Sequence, residues 1–223
     1  FQKNWQKRFH PLILPAFMKH TGKTEFRRVR MLVLFFEIPA VIFHYLMIRR
    51  LFSVKRSFFA HLVLIFISFL MVSMIIFIGD WDNLPPTFLV YLAGIQYACT
   101  DSRAKKFAVS LMLASTVFAW NAFLDNILKT YGTIGSMVLL RSLFSVLLYL
   151  LVRFKGPERE TELGNSLWHL MLFLTLAPSG IVFSIVLIPP IESREPRWLL
   201  CLYSTLLFLS LLSFIGLLWA IAV

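Results

Sequence analysis

The sequence predicts an all-α protein, a polytopic bundle of about seven transmembrane helices, or six if the short third run does not cross. Hydrophobic residues make up 59% of the 223-residue chain, above the roughly half typical of globular proteins. The charges gather in short clusters, and the apolar runs between them are long enough to span about 30 Å of hydrocarbon as helix. A water-soluble fold of this composition would leave large apolar patches exposed.

In chain order the runs are 31–48, 58–78, 85–99, 104–128, 134–152, 167–188 and 198–223. The third falls short of the usual twenty or so residues and needs tilt, local thinning of the bilayer or continuation through Thr100. Stretches such as Leu62-Val63-Leu64-Ile65-Phe66-Ile67 lack the period-two alternation of barrel strands. Helices are then the remaining way to satisfy backbone groups in lipid.

Basic residues set the orientation, because short cytoplasmic loops hold an excess of Lys and Arg. Arg49, Arg50, Lys55 and Arg56 separate the first two runs, Arg103, Lys105 and Lys106 the third and fourth, and Arg153, Lys155 and Arg159 the fifth and sixth. The intervening connections carry Asp80 and Asp82, then Lys129 alone, then Arg194 and Arg197 offset by Glu192 and Glu195. This alternation places the chain as a multi-pass protein of the plasma membrane, with the C-terminal end of the last run in the cytoplasm.

Residues 1–30 oppose that pattern. They hold Lys3, Lys7, Arg8, Lys19, Lys23, Arg27, Arg28 and Arg30 against Glu25, giving +7 of the net +11, on the side expected to be outer. Their apolar stretch, 9–18, is too short to span and contains Pro11 and Pro15. Two readings stay open: a basic arm lying on anionic lipid, or sequence upstream of a native start at Met31, which removes the conflict. Residues 31–223 then form one transmembrane sensor domain.

Ionisable residues inside spans are costly unless paired or wetted, so each carries a hypothesis. Glu37 lies two residues before Pro39, whose missing N–H frees a carbonyl one turn back. His44 follows two turns along the same face. Glu37 is read equally as a ligand or gating group and as a structural carboxylate. Asn121 and Asp125 lie near the outer end of the fourth run, preceded by Trp120, and Arg141 lies across a short connection, so an Asp125–Arg141 pair is one expectation. Asp80, Trp81 and Asp82 make an acidic, aromatic outer turn, read either as interfacial anchoring or as a binding surface. Pro178-Ser179-Gly180 interrupts the sixth run, either as a hinge or through packing alone. A ligand would meet Asp80, Trp81, Asp82, Trp120, Asn121 and Asp125, with Glu37, His44, Arg141 and Pro178 as intramembrane polar or coupling positions.

No phosphate-cradling glycine loop, metal-binding His-Glu-x-x-His or nucleophile elbow is present. Five scattered histidines and the isolated Cys99 and Cys201 give no metal spacing. No catalytic residue, metal or cofactor is therefore expected in this chain. The segment Asn121-Ala-Phe-Leu-Asp-Asn126 superficially resembles the asparagine helix of a GHKL ATPase, but its glycine-rich companions are missing and a membrane span precedes it.

With the spans placed, residues 31–223 resemble the membrane sensor region of Agr-type receptor histidine kinases of Gram-positive bacteria, whose cytoplasmic part is a GHKL ATPase. The resemblance rests on three features. They are Phe35-Phe36-Glu37-Ile38 leading to the exit Arg49-Arg50-Leu51-Phe52, the turn Asp101-Ser102-Arg103-Ala104-Lys105-Lys106, and the Pro178-Ser179-Gly180 break. It implies a two-component quorum-sensing receptor that detects a secreted signal and drives histidine autophosphorylation in a kinase domain beyond Val223. The expected partners are the lipid bilayer, an extracellular peptide or small-molecule signal, and a second copy as a homodimer, with no nucleic acid. Two rivals remain: a substrate-binding membrane subunit of a vitamin-type transporter using Glu37, Gln96 and Asn121 at mid-depth, and a structural or immunity protein without a ligand.

Overall fold

A computed structural model of the chain describes residues 23–73, 84–126, 134–155, 165–187 and 196–222, with side chains from Glu37 onward. These residues form seven α-helices: α1 (Lys23–Leu51), α2 (Phe58–Ser73), α3 (Leu84–Ala98), α4 (Arg103–Asn126), α5 (Ile134–Lys155), α6 (Asn165–Leu187) and α7 (Pro196–Ala222). Among the described residues there is no strand, only an isolated antiparallel bridge between Val54 and Cys99. The chain is all-helical, as its unalternated apolar runs predict. Two stretches, Arg103–Leu124 and Ser166–Ser184, are long and apolar enough to cross a membrane, while Phe58–Ser73 and Thr205–Leu217 are apolar but shorter.

α1 begins at Lys23, inside the segment expected to be a separate basic arm, and continues unbroken through Met31 and Pro39. The expected division at residue 30 therefore coincides with no element boundary. Lys, Arg and Glu are good helix formers, and no Pro or Gly interrupts 23–30. α3 has 15 residues and is about 22 Å long.

α4 is the centre of the bundle and packs against α2, α3, α5, α6 and α7. Its buried positions are rich in small residues, among them Ala108, Ser110, Ala114, Ser115, Ala119 and Ala122, which let helix backbones approach closely. Ser115 and Thr116 donate their hydroxyls to the carbonyls of Leu111 and Met112, so these polar groups are satisfied within an apolar interface. Between α2 and α3 the close approach is made at Gly94. A Cβ there would lie 2.7 Å from Ile67 Cγ2 and 3.3 Å from Val63 Cγ1. Gly94→Ala is expected to cost about 1–3 kcal/mol through overpacking, read as a lowered unfolding midpoint.

Contacts fix the helix directions. Glu37 meets Arg141 and Phe43 meets Tyr149 in the same order, so α1 and α5 run parallel. Lys105, Met112 and Phe118 meet Trp168, Ser179 and Phe183, so α4 and α6 are also parallel. The α1–α2 and α3–α4 connections are joined by backbone hydrogen bonds, Lys55 N to Ala98 O and Thr100 N to Ser53 O, both 2.9 Å. α1, α3 and α5 therefore run toward one end of the bundle, and α2, α4 and α6 run away from it. That end gathers Arg49, Arg50, Lys55, Arg56, Arg103, Lys105, Lys106 and Arg153, with Asp101 the sole acid among its described residues.

Apolar side chains occupy both the core and much of the exposed surface of this bundle. Along α2, Phe58, Phe59, Leu62, Ile65, Phe66 and Phe69 are exposed at a spacing that makes one continuous helix face. Leu139, Leu143, Leu147, Leu150 and Phe154 do the same on α5. Glu37, His44, Asn121 and Arg141 are meanwhile buried, at 4%, 1%, 1% and 5% exposure.

Candidate functional site

Glu37 and Arg141 are joined across the α1–α5 interface, with Arg141 Nη1 3.5 Å from Glu37 Oε1. Each lies 14 residues before the end of its helix, about 21 Å from the basic end, so the two charges meet at matched depth because the helices are parallel. Sequence nearness suggested Asp125 as the partner of Arg141. The structure gives Arg141 a carboxylate 104 positions away in sequence, and the Asp125 side chain lies outside the described residues.

His44, two turns below Glu37, is buried with it on the inward face of α1, as their spacing predicts. Its Nδ1 lies 3.1 Å from Ser68 Oγ on α2, and its ring is 5.9 Å from that of Tyr91 on α3. His44 Nε2 and the Tyr91 hydroxyl have no hydrogen-bond partner among the described residues. Nearer the basic end, the Tyr45 hydroxyl is 2.9 Å from His61 Nδ1, a second tie between α1 and α2.

The residues proposed to meet a ligand separate in two directions. Trp120 stacks at 4.5 Å on Phe144, one turn beyond Arg141, so it belongs to the surroundings of the ion pair. Asn121 is turned the other way and donates its amide to the carbonyl of Met71 at 3.1 Å, at the end of α2. Asp80, Trp81 and Asp82 lie outside the described residues. Pro178 lies within α6, which continues through it; its side chain is outside the described set. No group of three His, Cys, Asp or Glu side chains able to hold a metal occurs among the described residues.

A site that sequence reasoning did not single out is the junction of the two connections at the basic end. Asp101 accepts a hydrogen bond from the Ser53 backbone N–H at 2.7 Å and pairs with Lys105 through its other oxygen. The Thr100 hydroxyl also donates to the Ser53 carbonyl. Ser102 caps α4, its hydroxyl accepting from Lys105 N at 3.3 Å. Three cations in the first turn of α4 oppose its helix dipole. Asp101 offsets this, and Lys106 turns away to donate to the carbonyls of Gln96 and Cys99 at 3.2 and 3.3 Å, closing the C-terminal end of α3. The one acid within a run of bases was the available signal in the sequence. Its partner on the first connection, 48 positions earlier, was not legible.

Comparison with known proteins finds no family model, no curated protein and no solved structure that matches this chain.

Proposed function

We propose that the chain is the membrane-embedded sensor region of a receptor, crossing the plasma membrane seven times with its basic end and the end of α7 in the cytoplasm. The reading rests on the exposed apolar faces of α2 and α5, together with the charged and amide side chains held within the core. Lipid makes that arrangement favourable and water makes it costly. The gathering of basic residues at one end supplies the orientation.

The coupling element in this reading is the α1–α5 pair. Both helices run from the outer ends to the basic end, so a signal that displaces one against the other reaches the cytoplasm through the Glu37–Arg141 contact. A displacement of one helical turn, about 5.4 Å, breaks it, which gives the two discrete arrangements that signalling requires. The finer proposal is an Agr-type two-component receptor for a secreted peptide, with a cytoplasmic GHKL kinase domain. It is supported by the embedded acid of the first span and the basic turn before α4. The transporter reading is weakened by geometry. Lys106, bonded to the Gln96 carbonyl, and Asn121 lie about 22 Å apart along α4, so Gln96 and Asn121 do not share a mid-depth site with Glu37.

Orientation is tested with Arg56→Cys in a chain carrying Cys99→Ala and Cys201→Ala. A membrane-impermeant maleimide should label it only after cells are permeabilised. Labelling of intact cells reverses the orientation. The kinase part is tested separately by the coding frame after Val223, where a histidine-bearing helix and ATPase motifs are expected, and a stop codon there removes it.

A further inference from the structure

We infer that the joined connections at the basic end form a docking site for the headgroup of an anionic phospholipid in the inner leaflet. The inference rests on the membrane reading above and adds a partner to it. Lys55, Arg56 and Arg103 are exposed, and no ion pair involves them among the described residues. The nearby acid, Asp101, is already committed to Lys105 and Ser53 N–H. The backbone bridge between Val54 and Cys99 holds the two connections together, so the three cations stand on one preformed platform and do not need ordering when an anion arrives.

Exposed aromatic residues adjoin that platform, in space at Lys55 and in sequence at the start of α2. Lys55 Nζ lies 5.0 Å from the centre of the Tyr97 ring, which is 52% exposed, and Phe58 and Phe59 are 72% and 68% exposed at the start of the α2 face. Cations at phosphate depth with aromatic rings beside them match the boundary between headgroup and acyl chain. A soluble polyanion would satisfy the cations and leave Phe58 and Phe59 in water; a phospholipid satisfies both, because its acyl chain runs on along Leu62, Ile65 and Phe66. Arg153 and Phe154, neighbours in sequence, are both exposed near the end of α5.

The test uses the full chain in nanodiscs of phosphatidylcholine alone and of an equimolar mixture with phosphatidylglycerol. The lipid retained after mild detergent extraction is then counted by native mass spectrometry. Phosphatidylglycerol should be enriched over its bulk share. The triple variant Lys55→Gln, Arg56→Gln, Arg103→Gln should return the retained ratio of phosphatidylglycerol to phosphatidylcholine to bulk, and Arg56→Gln alone should lower that ratio up to about fivefold, the effect of one cation near an anionic surface. The charge-conserving Arg56→Lys should retain it. Unchanged enrichment in the triple variant overturns the inference. So does loss of enrichment in inorganic phosphate but not in chloride of equal ionic strength, which would assign the cations to a soluble anion. A wild-type chain that fails to enter phosphatidylcholine nanodiscs overturns the membrane reading itself, a result distinct from the absence of lipid preference.

Discussion

Arg141→Met should destabilise the protein by about 3–5 kcal/mol, because it removes the cation that faces the buried Glu37 carboxylate in the α1–α5 interface. The methionine keeps most of the length and volume of the side chain, so the loss reports charge rather than a cavity. The paired variant Glu37→Leu, Arg141→Met removes both charges and should recover most of the loss, since replacing a buried pair with apolar residues is often neutral. Unfolding midpoints in detergent for the wild type, the single variant and the double variant measure this. A single variant as stable as the wild type would remove the ion pair as a structural tie and with it the proposed coupling element.

The second large effect is expected at Asp101. Asp101→Ala removes the Lys105 ion pair and the acceptor for Ser53 N–H together, at a cost of about 3 kcal/mol for two charge-assisted bonds. Asp101→Asn keeps an oxygen for Ser53 N–H and should lie between the alanine variant and the wild type. A local readout accompanies the global one. Cys99 is buried in the bridge that Asp101 helps to hold, so its thiol should react faster with a maleimide in Asp101→Ala. Equal labelling rates in variant and wild type would mean that the two connections stay joined without the carboxylate.

The helices were legible because helices with exposed apolar faces and buried helices both appear as apolar runs, and the charge clusters marked the turns between them. The inward face of α1 was legible as well, since Glu37 and His44 are seven apart and helical geometry alone puts them on one side. The contact of Arg141 with Glu37 was not, because nothing in sequence brings α5 beside α1. Asp101 stands out in sequence as the acid of a basic turn, but its contact with Ser53 depends on how two hairpins meet. The early start of α1 was hidden for a different reason. Basic residues mark the end of an apolar run, and they do not mark the end of a helix.

The distance in sequence between Glu37 and Arg141 has a consequence for the newly made chain. The acid leaves the ribosome 104 residues ahead of its cation, a delay of about 5–20 s at ordinary rates of synthesis. Through that interval the first helix is complete without the guanidinium that Glu37 meets in the folded chain, so the α1–α5 contact is set only when the fifth helix arrives beside it.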